Sequence, residues 1–437
     1  MHRTRCLTRR ELLKGAAAAA LVGPYVISSS ALGAGDRPAP SNRIGAAIVG
    51  TGGQGGGHVG GLCGQPDVQV LAVCDVDRGH RERNKKVVED RYSRETGGTY
   101  AGCAAYGDFR EVMARSDVDA VLIATPEHWH ALCSIAAAKA GKDIYCEKPM
   151  AGTIAEGRAA ANAVRRYGRV FQTGSQERSG QARVACELVR NGRLGKLHTI
   201  RTFLPVDGYT QGAVKEEPVP DGFDYDFWLG PRPWEPYTSQ RCFFNFRWIL
   251  DYSDGELTDR GCHVNDIALW GAGPLLVGPV EIEGKGRFRT DPLWNVPIEF
   301  HIEYTYANGL KIICDTNGPR GIKFEGTEGW IFVAIHGGHL TAEPASVLKS
   351  VIGPDEVHLH TSKGHHRDWI DAIKTRGDTV APAEAGHRTA SFCHLGLIAL
   401  LTGRKVKWDL EKEEFINDSE AQRLVHRPMR SPWRLTI

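Results

Sequence analysis

Short, unbroken apolar runs alternate with longer amphipathic stretches through the first third of the chain. "IGAAIVG" (44–50), "VQVLAVCD" (68–75), "VDAVLIAT" (118–125), "KDIYCEKP" (142–149) and "RVFQTG" (169–174) read as strands buried on both faces. Between them lie helical patterns. One is charged, near 79–93; "DFREVMA" starts at Asp108, which can act as its N-cap. "WHALCSIAAAKAG" is closed by Gly141, and "TIAEGRAAANAVRRYG" is capped by Thr153 and ended by Gly168. Strand–helix alternation of this kind predicts parallel βαβ units with right-handed crossovers.

After residue 176 the pattern changes. "ARVACELVRNG" predicts a helix stopped by Gly192, and "KLHTIRTFLP" a strand. Residues 207–250 are rich in aromatics and proline and predict packed irregular structure. From 279 strands dominate: "PVEIEGKGRF", "IEFHIEYTY", "LKIICDT" and "GIKFEGTEGWIFV", with a hairpin turn at Tyr306-Ala307-Asn308-Gly309. Helices return at 365–375 and 384–402. The predicted fold is α/β: a doubly wound parallel sheet over 44–175, then an α+β domain over 176–437 with a large, mainly antiparallel sheet.

Ahead of both lies a leader, 1–34, and a polar linker, 35–43. The leader has a basic start, an alanine-rich apolar run interrupted by Gly23 and Pro24, and small residues at Ala31 and Ala34. Thr8-Arg9-Arg10-Glu11-Leu12-Leu13-Lys14 resembles a twin-arginine export signal. Expected consequences are export of a folded protein by the twin-arginine machinery and a periplasmic address. No later stretch is apolar enough to span a bilayer. The net charge of +2 is misleading. Five of 54 basic residues and one of 52 acidic residues sit in the leader, so the remainder carries 49 against 51. That balance gives no footprint for nucleic acid. Eleven cysteines lack C-x-x-C spacing, and Cys74 and Cys146 end apolar runs, so buried free thiols are expected rather than disulfides or a metal site.

Chemistry concentrates where strands end. "GTGGQG" follows the first strand: Gly50 allows the turn, Gly52 lets the backbone approach a pyrophosphate beside Gln54, and Gly55 packs the helix on the sheet. Asp75 ends the second strand, where an acid can bond both ribose hydroxyls. This favours NAD, although Arg78 leaves room for NADP. "TPEHWHA" brings Thr125, Pro126, His128 and His130 to the next strand end as a polar pocket wall. "CEKP" places Glu147 and Lys148 at another, where the lysine either bridges cofactor and substrate or merely decorates a turn. In "DYSDGELTDRGCHVNDIALWG" (251–271), Asp259 and His263 are four apart and share a helix face, with Asp266 nearby. General base, structural pair and metal set all fit that spacing. Gln176 and Arg178 are expected to face the cleft, Arg247 in "FRW" to line its wall, and "GHHRDW" (364–369) to be a cap and surface.

Together, "GTGGQG" with Asp75, "TPEHWHA", "CEKP" and the Asp259/His263 pair resemble the Gfo/Idh/MocA oxidoreductases, which include glucose–fructose oxidoreductase and inositol dehydrogenase. The resemblance implies a Rossmann domain, a second domain whose open sheet face forms oligomer contacts, a nicotinamide cofactor and sugar-like substrates. It implies that Lys148 contacts nicotinamide and substrate hydroxyl, that His263 is the acid/base with Asp259 as partner, and that Glu147 sits by the nicotinamide ribose. The expected function is hydride transfer between a sugar or polyol carbon and a tightly bound, recycled NAD. The alternatives are redox-neutral glycoside cleavage or epimerisation through transient oxidation, and a non-catalytic sensor.

Overall fold

The computed structural model describes residues 33–34, 37–335 and 338–437. The twin-arginine motif therefore lies outside the described residues. Gly33–Ala34 pairs antiparallel with Arg37–Pro38, and a 3-10 turn covers Pro40–Asn42. This short segment is one unit and residues 44–437 are another.

The first half of the larger unit alternates as its pattern predicts. Six strands, β1 (Ile44–Val49), β2 (Val68–Cys74), β3 (Ala104–Tyr106), β4 (Ala120–Ile123), β5 (Asp143–Cys146) and β6 (Phe171–Thr173), form one parallel sheet in the order β3-β2-β1-β4-β5-β6. Every residue of β1, β4 and β5 is buried, which is why these strands read as continuous apolar runs. Helices α1 (Gly53–Cys63), α2 (Arg78–Thr96), α3 (Phe109–Met113), α4 (Glu127–Lys139) and α5 (Ile154–Arg166) connect them. Asp108 and Thr153 cap α3 and α5 through their side chains as expected, and Asp77 caps α2. The strand order reverses between β1 and β4, opening a crevice at their C-terminal ends.

The second half contributes α6 (Ala182–Arg190), β7 (Leu197–Phe203), α7 (Tyr225–Leu229), α8 (Glu256–Asp259), α9 (Gly261–Ala272), β8 (Val280–Phe288), β9 (Pro297–Tyr306), β10 (Lys311–Asp315), β11 (Gly321–Gly326), β12 (Gly329–Ala334), β13 (Leu340–Glu343), α10 (His365–Thr375), α11 (Ala383–Thr402), β14 (Val406–Asp409) and β15 (Glu414–Phe415). Nine strands make one sheet, β13-β12-β11-β7-β10-β9-β8-β14-β15, in which only the β7–β10 pair is parallel. "GIKFEGTEGWIFV" is not one strand but two, β11 and β12, folded back at Thr327-Glu328. Along β9, inward Phe300, Ile302 and Tyr304 are buried while Glu299 and His301 are exposed, so one sheet face carries core and the other is open.

Two packing facts position the site. Residues 207–250 are largely irregular but have an aromatic core, with Trp228, Tyr237 and Trp248 buried together beside Tyr252. Helix α10, distant in sequence, completes the first domain: Trp369, Ile370 and Ile373 pack with Ile48, Leu62 and Val88. Arg367 and Lys374 both pair with Asp67 just ahead of β2. Among the described residues no helix is long and apolar enough to cross a membrane, and all ten described cysteines are free and buried.

Candidate active site

A cleft of about 920 Å³ lies between the C-terminal ends of the parallel strands and the second domain, lined by Gly52, Asp75, Thr125, Glu147, Lys148 and His263 among others. At one end stands the glycine turn. Gly50 has φ +84°, and a Cβ there would lie 2.6 Å from Thr125 N; a Cβ on Gly55 would lie 1.8 Å from Gly50 O. Only glycine fits either place. Helix α1 starts at Gly53 with no side-chain cap, and a Cβ on Gly53 would meet nothing within 4 Å. Gly52, Gly53 and Gln54 line the cleft, and the unpaired amides of a helix's first turn suit a pyrophosphate. Asp75 is fixed from behind, its Oδ2 accepting from Thr51 N at 2.7 Å and its Oδ1 from Asp77 N at 2.9 Å. These residues fit an adenine dinucleotide.

At the other end Lys148 Nζ donates to Asp259 O and to Asp259 Oδ1, both at 2.7 Å. Arg247 Nε lies 3.3 Å from the same Oδ1, its guanidinium over the rings of Phe244 and Phe246. Burial works against both ionised forms, yet the charges outweigh it. The Lys148 and Arg247 charges hold the Asp259 carboxyl far below its ordinary range. Asp259, with Glu147 behind it, raises the Lys148 ammonium above its ordinary value. Lys148 therefore stays charged and acts as a donor, not a base. Glu147 is buried, which alone would raise its pKa, but the His58 hydrogen bond and charge, then Lys148 and His263, hold it at about 2. Glu127, at the start of α4, is driven the other way, to about 7, by burial and the Asp254 charge; it accepts from the hydroxyls of Ser253 and Thr258.

Several expectations need correcting. Arg178 does not face the cleft: it is buried in a bidentate pair with Asp266, both contacts at 2.7 Å, and donates to Val380 O. Its partner Asp266 also accepts from Thr389 Oγ1, so this carboxylate is fully engaged by protein. Asp259 and His263 do not share one continuous helix, because the chain breaks at Arg260 between α8 and α9. The Asp259 carboxylate meets Lys148 and Arg247. With Asp259 and Asp266 each committed to cations, the metal-set alternative for this stretch falls away. His128 leaves the pocket wall, its Nε2 on Trp228 O at 2.9 Å. His130 borders the cleft, but both ring nitrogens face carbonyl oxygens, of Pro149 and Thr125, so it braces the loop carrying Lys148 rather than offering a free nitrogen.

The "GHHRDW" stretch is no surface cap. His365 and His366 line the cleft, and His366 Nε2 lies 2.8 Å from His58 Nδ1. His58 in turn reaches Glu147, and Gln176 Nε2 donates to Glu147 Oε1 at 3.0 Å. Neither His58 nor Glu127 was singled out from sequence. The only available signal was position: Glu127 opens α4 and His58 falls in the second turn of α1, two helices that start at the crevice.

Residues 44–175 match "Oxidoreductase family, NAD-binding Rossmann fold", and residues 207–435 match "Oxidoreductase family, C-terminal alpha/beta domain", the two Gfo/Idh/MocA domains. Among curated relatives, a glycosyl hydrolase family 109 protein of Solibacter usitatus is 32% identical over 157 residues, 34% of each chain. Inositol 2-dehydrogenase 1 of Saccharopolyspora erythraea is 30% identical over 203 residues, 43% of this chain and 54% of that one. The match thus spans a third to about half the length of these relatives. The fold is similar to aldose-aldose oxidoreductase from Caulobacter crescentus complexed with glycerol (TM-score 0.61, 20% identity, 84% of this chain and 99% of that one). It is likewise similar to scyllo-inositol dehydrogenase from Lactobacillus casei with NAD(H) and scyllo-inositol (TM-score 0.57, 19% identity, 84% and 99%).

Proposed function

Given that this chain belongs to the Gfo/Idh/MocA oxidoreductase family, with an NAD-binding Rossmann domain joined to the family's C-terminal α/β domain, we propose that it is an exported enzyme acting on CH–OH groups of sugars or polyols with a nicotinamide nucleotide that it retains. The observation that carries this reading is the cleft itself, with glycine turn and Asp75 at one end and Lys148, Asp259, Arg247 and His263 at the other.

When bound, the nicotinamide supplies the two-electron chemistry. Lys148 has three N–H donors, and two are committed to Asp259, so the third is left for a substrate oxygen as it gains or loses negative charge. On this reading His263, which lines the cleft, takes the hydroxyl proton on its ring and returns it. Asp259 and Arg247 offer an acceptor and a donor for neighbouring hydroxyls, and Phe244 and Phe246 offer apolar faces for a sugar ring.

Retention is supported by a second feature. The segment after residue 220 pairs with the loop that follows β2: Arg78 N donates to Gly222 O at 2.8 Å, Asp224 N donates to Val76 O at 3.1 Å, and Asp77 bridges Phe223. This strap crosses the chain beside Asp75, at the adenosine end. A held nucleotide also fits the leader, because a folded, preloaded enzyme is the cargo a twin-arginine route carries, and free NAD is not available outside the cytoplasm. Recycling then requires one molecule to be oxidised and another, or the same one, to be reduced. Assembly through the open sheet face belongs to the same proposal.

The glycosyl hydrolase family 109 name among the relatives favours a second reading, in which oxidation is transient and a glycosidic bond is cleaved. Product analysis separates the two. Incubating purified protein with paired aldoses, polyols and aryl glycosides should give matched oxidised and reduced products on the first reading. Released aglycone without net redox change would establish the second, and no turnover with any of them would reject both.

A further inference from the structure

A buried chain runs inward from the start of α10 and ends on Glu147. His366 Nε2 lies 2.8 Å from His58 Nδ1, and His58 Nε2 lies 2.8 Å from Glu147 Oε1. The His58 and Glu147 side chains are 6% and 7% exposed, whereas His366 is only partly buried at the cleft edge. The facing groups are few. Gln54 Nε2 stands 3.4 Å from His58 Nε2, Gln176 Nε2 and the Tyr145 hydroxyl border Glu147 Oε1, and His365 is occupied by Ser179 Oγ and Thr173 O. On the cleft side the charges next to Glu147 are Lys148 and His263. Anchoring α10 does not require this imidazole pair, because Trp369 in the core and the Asp67 ion pairs already do so.

We propose that Glu147, His58 and His366 form a proton relay between the catalytic end of the cleft and solvent. The relay rests on the oxidoreductase reading above. Oxidising a hydroxyl frees one proton and reducing a carbonyl consumes one. With Glu147 ionised and accepting from His58 Nε2–H, the inward pass has water protonate His366 Nδ1 while His366 Nε2–H passes to His58 Nδ1 and His58 Nε2–H passes to Glu147; the outward pass reverses each transfer. One proton enters and one leaves, and the electron pairs stay on oxygen and nitrogen. Each pass exchanges the tautomers of both rings, which normally must turn over before a second pass. An enzyme that alternates oxidation with reduction runs the relay out and then back, so each half-cycle resets the other without a ring flip.

The test uses purified, nucleotide-loaded protein and two variants, His366→Ala and His366→Gln. The glutamine keeps an N–H for His58 Nδ1 but cannot pass a proton. Both variants should lose about 100-fold in turnover, the low end for a positioned proton-transfer group. Both should keep wild-type nucleotide content and recover with added imidazole. Wild-type turnover in His366→Gln, or loss of nucleotide from either variant, overturns the relay in favour of a hydrogen-bonding or structural role. Nitrogen NMR of labelled histidine gives a readout that needs no turnover. One proton shared between His58 and His366 and a single linked titration are expected; two independently titrating rings would overturn the relay while leaving the oxidoreductase reading standing.

Discussion

Two ion pairs join the same two parts of the chain, and they do opposite things. Lys148 leaves the end of β5 to meet Asp259, and Arg178 leaves the end of β6 to meet Asp266, seven residues further on. The Arg178–Asp266 pair is 7% and 2% exposed, bidentate, and closed over by Thr389 and Trp270. The Lys148–Asp259 pair is 15% exposed on both sides and opens to the cleft, with Arg247 alongside. One is a complete set of contacts. The other keeps a donor unspent. Residue type and spacing are alike in the two; what separates structure from chemistry is whether every hydrogen-bonding position has already been filled by protein.

The comparison can be broken most forcefully at the closed pair. Arg178→Ala leaves Asp266 buried without a cation and should destabilise the fold by about 3–5 kcal/mol, measured by denaturant unfolding, with remaining folded protein still binding nucleotide. An Arg178→Ala variant that folds normally and loses only activity would reverse the assignment. At the open pair, Lys148→Ala should lower turnover by about 100–1000-fold, the scale for losing one donor to a developing oxyanion. Its unfolding midpoint should move far less than that of Arg178→Ala.

Acid sharpens the contrast further. The Glu147 pKa falls from 4.5 to about 2 on folding, so its contribution to stability is present above about pH 4.5 and is lost as pH falls towards 2. Wild-type protein should lose roughly 3 kcal/mol over that window through this group, and Glu147→Gln should show a flatter acid limb in the same unfolding series. A smaller effect is expected at the strap. Arg78 is the first residue of α2, where proline is tolerated, and Asp77 before it is extended (φ −90°, ψ 118°). Arg78→Pro removes only the N–H to Gly222 O and should speed nucleotide release by up to about tenfold. Arg78→Ala keeps that N–H and serves as the control for the side chain. The smallest effect belongs to the open sheet face. Arg287→Ala, which breaks an exposed pair with Glu299, should change stability by less than about 0.5 kcal/mol in a monomer. A clear shift in sedimentation would instead place that face in an assembly.

The parallel domain was legible because its strands are buried on both sides and its helices carry local caps; Asp108 and Thr153 announce themselves within three residues. The glycine turn and Asp75 were legible for the same reason, since each needs only its own neighbours to be understood. Arg178 and the His365-His366 pair were misread because their places are decided by partners about 90 to 300 residues away: Asp266 for one, His58 and the Asp67 clamp on α10 for the other. The β11–β12 hairpin was missed although Gly326 and Gly329 flank its two-residue reversal, because the strand-forming residues on either side were read as one run. The Asp259/His263 spacing fits a helix, but Arg260 ends one helix and starts the next.

One measurement bears most directly on the retained-nucleotide enzyme. Protein is purified without added cofactor, challenged with a panel of sugars and polyols, and followed by the absorbance of reduced nicotinamide, with the nucleotide then released and quantified by mass. Near one NAD(H) per chain, changing redox state when the right sugar is added and no free NAD is present, is the predicted result. Protein that carries no nucleotide and turns over only when NAD is supplied would contradict retention, strap and recycling together.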